Sequence, residues 1–177
     1  DTIYLNPTIE VKTLFEKKRM KEEVINKDLK DISVYANVVN NEEVKYIPSD
    51  FKGIGLYRTE FILMNEEYAF DYLKQAAIYM EALEMMAEKP ITFRTFDFGG
   101  DKQVEYLPHL KKGIENYYVY RKLFENQIKA LLVASRKYPN QVRIMFPMIE
   151  TFKQYQELKK VVVKIAKEED IKVPSIG

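Results

Sequence analysis

The sequence predicts an α/β fold in which parallel strands alternate with helices, as in part of a (β/α)8 TIM-type barrel. Short β-rich runs alternate with longer helical stripes, and strands separated by helices pair in parallel through right-handed crossovers. The strand starts lie roughly 20 to 50 residues apart, so eight units would fill the ~250 residues of a complete barrel. We predict a leading helix over residues 1–30, then about four to five β/α units of a truncated barrel over residues 31–177.

The first elements combine a capped helix with two short strands. Asn6 is a suitable N-cap and Pro7 suits the first helical position, and the apolar spacing that comes after them predicts a helix over residues 7–30. The β-rich run 32–38 predicts a first strand, and the run 53–61, entered through glycines, predicts a second.

A helical stripe and a third strand come next. Apolar residues between positions 69 and 87 recur at spacings of three and four, and Asn65 or Asp71 could cap this helix. The run 91–97 predicts the third strand, which ends before Gly99 and Gly100.

The last third of the chain repeats the alternation. A helix near residues 118–137 leads to a fourth predicted strand over residues 142–149. Thr151 predicts the N-cap of the next helix, and residues 171–177 read as the start of a fifth strand.

Composition excludes several classes of function. The net charge of +1 gives no reason to expect nucleic acid or an anionic membrane as a partner. No apolar run reaches the roughly 18 residues that span a bilayer. The chain lacks cysteine, which is compatible with a reducing cytoplasm and excludes disulfides and cysteine-based metal sites.

Polar side chains lie late in neighbouring predicted strands, where parallel β/α folds bind ligands. Arg58 comes late in the second strand and Arg94 late in the third. A guanidinium group matches phosphate and carboxylate oxygens, so two arginines beside a glycine loop predict a site for a small, highly charged anion. Supporting residues are predicted on the first three strands and in the loop after the third: Asn37, Glu60, Asp97, Asp101 and Lys102.

A simpler interpretation of the two arginines stays open. Arginine at a strand end often pairs with a carboxylate, and Glu60 and Asp97 are close in sequence. His109 is the only histidine and is predicted to be structural or exposed, because no base or cysteine flanks it.

Three long motifs lie at the predicted strands: residues 53–61 (GIGLYRTEF), 94–102 (RTFDFGGDK) and 142–149 (VRIMFPMI). A shorter run, residues 6–8 (NPT), precedes them. The three motifs resemble, in the family's order, the signatures of enzyme I of the bacterial sugar phosphotransferase system, and the short run resembles the segment that precedes its barrel.

The resemblance implies a phosphoenolpyruvate-protein phosphotransferase, in which Arg58 and Arg94 hold the substrate phosphate. Enzyme I moves phosphoryl from phosphoenolpyruvate to its own histidine, with Mg²⁺, and then to a phosphocarrier protein for sugar uptake. The acceptor histidine lies in a separate domain, the Mg²⁺ ligands lie on later strands, and His109 does not match the acceptor motif. We therefore expect a cytoplasmic, homodimeric parent enzyme, with no catalytic or metal-binding residue in this stretch and no activity of this stretch alone.

Two departures from the family keep other interpretations open. Residues 116–121 lack the family's proline and glycine, so Arg121 need not match the family arginine, and residues 36–39 lack a glycine after Asn37. The alternatives are a related pyruvate phosphate dikinase or phosphoenolpyruvate synthase, or a non-catalytic binding or dimerisation module of this fold.

Overall fold

The computed structural model describes residues 32–98, 104–111 and 113–177. The predicted leading helix over residues 1–30 lies outside the described residues. Nearly all of the described residues belong to one compact unit, Val34–Gly177.

A single sheet of five parallel strands lies at the centre of this unit. The strand order is the order of the sequence, β1 to β5, and every neighbouring pair is parallel. This confirms the predicted alternation and the parallel pairing. The strands are β1 (Ala36–Val38), β2 (Ile54–Arg58), β3 (Ile91–Arg94), β4 (Val142–Met145) and β5 (Ser175–Ile176).

Helices connect the strands, and the predicted caps are at their ends. Asp71 accepts hydrogen bonds from Leu73 N and Lys74 N, and Asn65 caps a separate short helix before it. Thr151 forms a capping box with Gln154. The described helices are α1 (Asn41–Val44), α2 (Glu60–Leu63), α3 (Glu66–Ala69), α4 (Tyr72–Met85), α5 (Glu115–Val119), α6 (Arg121–Lys137) and α7 (Phe152–Glu168).

The strands are shorter than the sequence predicts. The second strand ends at Arg58 rather than at residue 61, because Thr59 takes a helical φ of −76° and Glu60 begins α2. The fourth ends at Met145 rather than at residue 149. Pro147 there has no N–H to donate to a ladder, and Met148 has a φ of 57°.

The predicted helix near 118–137 is two helices, α5 and α6, which meet at Tyr120. Its backbone φ of −106° and ψ of 46° interrupts the helical path. The first and fifth strands are confirmed as elements but reduced to Ala36–Val38 and Ser175–Ile176.

One extra residue in β2 alters the alternation of its side chains. Ile54 is level with Ile91 and Tyr57 with Phe93, so β2 uses three steps where β3 uses two. This β-bulge turns Ile54 and Tyr57 toward the same face of the sheet, although their spacing is odd. Both side chains are buried.

The two faces of the sheet differ in character. One face is apolar and buried, and the ring of Phe93 packs 5.2 Å from that of Tyr57 on β2 and 5.0 Å from that of Tyr79 on α4. The opposite face carries polar and partly exposed side chains, including Asn37, Thr92 and Arg143. No helix in the described ranges is both long enough and apolar enough to cross a bilayer.

Candidate anion-binding site at the strand ends

Arg58 and Arg94 lie side by side at the carboxyl ends of β2 and β3. They are register partners, and both residues are partly buried. Since neighbouring strands are about 4.8 Å apart and register partners point the same way, both guanidinium groups leave the sheet on its polar face. The structure thus has the two arginines in the adjacent positions that the sequence predicts.

Arg94 is held by both predicted carboxylates. Its Nη2 contacts Glu60 Oε1, and its Nη1 lies 3.3 Å from Asp97 Oδ2. The Glu60 side chain is fully buried, and that of Arg94 is 17% exposed. A buried carboxylate needs such a partner because its own desolvation is costly. The ion-pair interpretation therefore applies to Arg94.

Arg58 differs, since it makes no ion pair with any residue in the described ranges. Neither Glu60, two residues after it, nor Asp97 on the neighbouring segment is paired with it. Its planar set of donors is therefore not engaged by a carboxylate of this part of the chain.

The threonine after each arginine ties its strand end to the next strand. Thr59 Oγ1 donates to Arg94 O at 2.6 Å. Thr95 N donates to Met145 O at 2.9 Å, and Thr95 Oγ1 lies 3.3 Å from the same oxygen. These contacts connect the ends of β2, β3 and β4 just beyond their regular ladders.

A buried glutamine on α6 joins the first two of these ends. Gln127 Nε2 donates to Thr59 Oγ1 at 2.6 Å, and Phe96 N donates to Gln127 Oε1 at 3.0 Å. The side chain is fully buried, so both bonds form away from water.

Tyr117 holds the segment after β3. Its hydroxyl donates to Phe96 O at 2.9 Å and lies 2.8 Å from Thr95 Oγ1. Burial raises the pKa of the Tyr117 phenol above its ordinary value, so the group stays a neutral donor.

Asn116 joins the two sides of the loop after β3. Its Nδ2 donates to Phe98 O at 2.7 Å and to Lys111 O at 2.8 Å, and Lys111 N donates to its Oδ1 at 2.7 Å. The predicted supporting residues Asp101 and Lys102 lie outside the described residues.

Asn37 and His109 take no part in the contacts around Arg94. Asn37 is exposed on the polar face of β1, level with Leu56 rather than with Arg58. His109 is exposed, as predicted, and its backbone N–H donates to Tyr120 Oη at 2.9 Å.

Sequence reasoning missed the buried polar residues behind the arginines. The signal for Gln127 was a polar side chain inside the apolar stripe of its helix, flanked by buried Phe124 and Ile128. The signal for the threonines was the repeated Arg-Thr pair at positions 58–59 and 94–95.

The described residues of the site offer cationic donors at the strand ends. The described part of the chain contains no group of three or more histidine, cysteine, aspartate or glutamate side chains that could hold a metal ion. Glu60 and Asp97 are engaged by Arg94 instead. The arrangement can bind and orient an anion at the strand ends.

Known proteins share most of this chain. The family described as "PEP-utilising enzyme, PEP-binding domain" matches residues 14–174. The phosphoenolpyruvate-protein phosphotransferase of Priestia megaterium is 34% identical over 157 residues, which are 83% of this chain and 27% of the relative. That of Geobacillus stearothermophilus is 31% identical, covering 92% of this chain and 32% of the relative.

A relative with another name matches a smaller share. The multiphosphoryl transfer protein of Rhodobacter capsulatus is 34% identical over 76% of this chain and 17% of its own length. The chain thus spans at most 32% of the length of these three relatives.

Proposed function

The chain belongs to the PEP-utilising enzymes, within their PEP-binding domain, and we propose that its strand ends bind the phosphate of phosphoenolpyruvate in a phosphoenolpyruvate-protein phosphotransferase. The observation that carries this proposal is the register pairing of Arg58 with Arg94 on the polar face of the sheet. Two guanidinium groups at this spacing can contact oxygens of one phosphate group.

The two arginines would divide the work of binding. Arg94 is already oriented by Glu60 and Asp97, and its side chain is 17% exposed, so it would present fixed donors to the phosphate. Arg58 would complete the contact when the anion arrives. In phosphoryl transfer, positioning and charge neutralisation of this kind supply most of the catalysis.

The reaction itself would need groups beyond the described residues. The bond from phosphorus to the enol oxygen of phosphoenolpyruvate breaks, the phosphoryl group passes to a histidine of another domain, and protonation of the enolate gives pyruvate. Mg²⁺ would neutralise phosphate charge in that reaction. Since Glu60 and Asp97 hold Arg94, we propose that other residues bind the metal.

The setting of the chain is proposed from the resemblance of its motifs to enzyme I. We propose that the five sequential parallel strands belong to a (β/α)8 barrel, and that the native protein is a cytoplasmic homodimer. It would pass phosphoryl to a phosphocarrier protein for sugar uptake.

Calorimetric titration of the chain with phosphoenolpyruvate tests this function. We expect Arg58→Ala to weaken binding at least about tenfold, since hydrogen bonds to charged groups contribute about 1.5–3 kcal/mol each. Arg143→Ala is the matched control, because Arg143 is an exposed arginine on the same face of β4, level with Thr92 rather than with the strand ends. Equal losses in both variants would reduce the effect to general charge attraction and reject the site.

A further inference from the structure

We propose that Gln127 is a positioning residue that sets the separation of Arg58 and Arg94 for one phosphate group. This inference rests on the proposed function, because it concerns how the same two arginines are held. It adds a residue on α6 that lies behind the sheet and bonds the strand ends rather than either guanidinium group.

One side chain reaches both arginine-bearing strand ends. Gln127 Nε2 donates to the hydroxyl of Thr59, the residue after Arg58. Its Oε1 accepts from Phe96 N, two residues after Arg94. The Thr59 hydroxyl donates in turn to Arg94 O, which closes a ring of hydrogen bonds through both strand ends.

The ring also leads to the carboxylate that holds Arg94. Thr59 is the residue at which the backbone turns from β2 into α2, and Glu60 is the first residue of that helix. A shift of Thr59 would therefore move Glu60 relative to Arg94 as well as move Arg58. Gln127 thus acts on both sides of the predicted phosphate site.

The chemistry of an uncharged amide suits this position. The side chain at this position must donate to a hydroxyl and accept from a backbone N–H at the same time. An ionised carboxylate could not replace the amide, because it has no donor. A second donor contact, from Nε2 to Tyr79 Oη at 3.4 Å, accounts for the remaining N–H.

The helix does not need a polar group here for its own packing. Leu123, Phe124, Ile128 and Leu131 on α6 are fully or almost fully buried apolar residues, and α6 packs against α4. Burying an amide in such a stripe is unfavourable unless its bonds are all made. Its presence is explained by what the bonds hold together, namely the two strand ends.

The decisive experiment is a double-mutant cycle on binding of phosphoenolpyruvate to the full chain. Gln127→Met keeps the volume and removes the bonds to Thr59 and Phe96 together with the longer contact to Tyr79. We expect binding to weaken ~10- to 100-fold, as for a small misplacement of binding groups. The same change made in an Arg58→Ala background should have much less effect, because only one arginine is then left to position.

A matched control separates positioning from lost stability. Gln75 on α4 is also fully buried: its Nε2 donates to Tyr68 O and Ala69 O, and its Oε1 accepts from Tyr79 Oη at 3.3 Å. It shares the Tyr79 hydroxyl with Gln127 but bonds neither arginine-bearing strand end. Gln75→Met should lower the melting temperature to a similar extent and leave binding within about twofold of the unmodified chain. Equal weakening of binding in Gln127→Met and Gln75→Met would overturn the proposal.

A second pair of variants tests the same bonds if Gln127→Met does not fold. Thr59→Val removes the hydroxyl at constant shape and should weaken binding like Gln127→Met, whereas Thr59→Ser should retain it. Binding that is unchanged in Thr59→Val rejects the positioning role. If the unmodified chain does not bind phosphoenolpyruvate, the proposed function itself fails; if only Arg58→Ala weakens binding, this inference alone fails.

Discussion

The ends of β2 and β3 begin alike and finish differently. Each has an arginine followed by a buried threonine, and each has an acid shortly afterwards. Yet both acids lie on Arg94, and Arg58 makes no ion pair with a described residue. The cause is the backbone: after β2 the chain enters a helix at once, which places Glu60 against the neighbouring strand.

The comparison teaches that two similar motifs can have unlike roles at one site. Arg94 is held by two carboxylates, so at the proposed phosphate site binding would not need to immobilise it. Arg58 has no such ion pair within the described residues, and we propose that it is ordered on binding, at a cost of about 0.5–1.5 kcal/mol. In this proposal Arg94 is the fixed contact and Arg58 the adaptable one.

The largest expected effect is a loss of stability at the end of β3, where two carboxylates hold Arg94. Glu60→Gln removes a fully buried negative charge beside Arg94, and we expect it to lower the free energy of unfolding by about 3 kcal/mol. Urea unfolding measures this. Glu42→Gln, at an exposed pair with Lys45, is the control and should change it by less than about 1 kcal/mol. Equal, small effects of both changes would contradict the difference in burial.

The next largest effects come from lysine substitutions, which should distinguish the roles of the two arginines in stability and in substrate binding. Arg94→Lys removes the planar fork that Glu60 and Asp97 engage, so we expect a loss of about 2 kcal/mol in stability together with weaker substrate use. Arg58→Lys should leave stability within about 0.5 kcal/mol and raise KM for phosphoenolpyruvate about tenfold. Steady-state kinetics and unfolding of the native protein supply both readouts. Near-normal turnover and KM in both variants would make the arginines structural.

Alkaline pH should lower the stability of the segment after β3, because the Tyr117 phenol donates a hydrogen bond to Phe96 O there. Burial holds the folded-state pKa of this phenol above its ordinary value of 10.0. Its contribution to stability is therefore complete below about pH 10 and falls as pH rises further, by at most about 1.4 kcal/mol per pH unit.

Unfolding curves between pH 9 and 11 would measure this loss, and the comparison variant is Tyr117→Phe. The loss should be smaller in that variant, although its stability at pH 7 should drop by about 1 kcal/mol with the hydrogen bond to Phe96 O. Tyr46→Phe, at a tyrosine that is 78% exposed, is the control for removal of a phenol and should change stability at pH 7 by less than about 0.5 kcal/mol. A profile unaltered by Tyr117→Phe would exclude Tyr117 as a source of the loss.

The smallest expected effect concerns the second acid. Asp97 is 28% exposed and 3.3 Å from Arg94, so Asp97→Asn should cost only about 0.5–1 kcal/mol of stability. The measurement is again urea unfolding, beside Glu60→Gln. A loss as large as that of Glu60→Gln would mean that the two carboxylates hold Arg94 equally.

Local chemistry explains how much of this could be predicted from the sequence. The caps Asp71 and Thr151 and the strand–helix alternation depend on neighbours in sequence, and the structure confirms them. The adjacency of Arg58 and Arg94 results from their similar places in consecutive parallel strands. The end of β2 was predicted too late in the chain because Thr59 turns into α2, and its hydroxyl, rather than a further rung of the ladder, bonds Arg94 O.

The rest of the site depends on distant partners. Gln127 and Thr59 are 68 positions apart, and no local pattern pairs them. Likewise, Glu60 is two residues from Arg58 in the sequence, but it begins α2, and its side chain therefore contacts Arg94 on the neighbouring strand. Such contacts depend on helix–sheet packing rather than on spacing along the chain.

The bulge in β2 lets the site tolerate the loss of one residue. Gly55 lies in the stretch where β2 has one residue more than β3 needs, and Arg58 is level with Arg94 beyond that stretch. Removal of one residue there would leave two steps in β2 beside the two of β3, so Ile54 and Tyr57 would still face the core and Arg58 would still lie on the polar face. During divergence this stretch can therefore lose a single codon without inverting the site, whereas a deletion inside the regular alternation of β3 would turn its side chains to the opposite face.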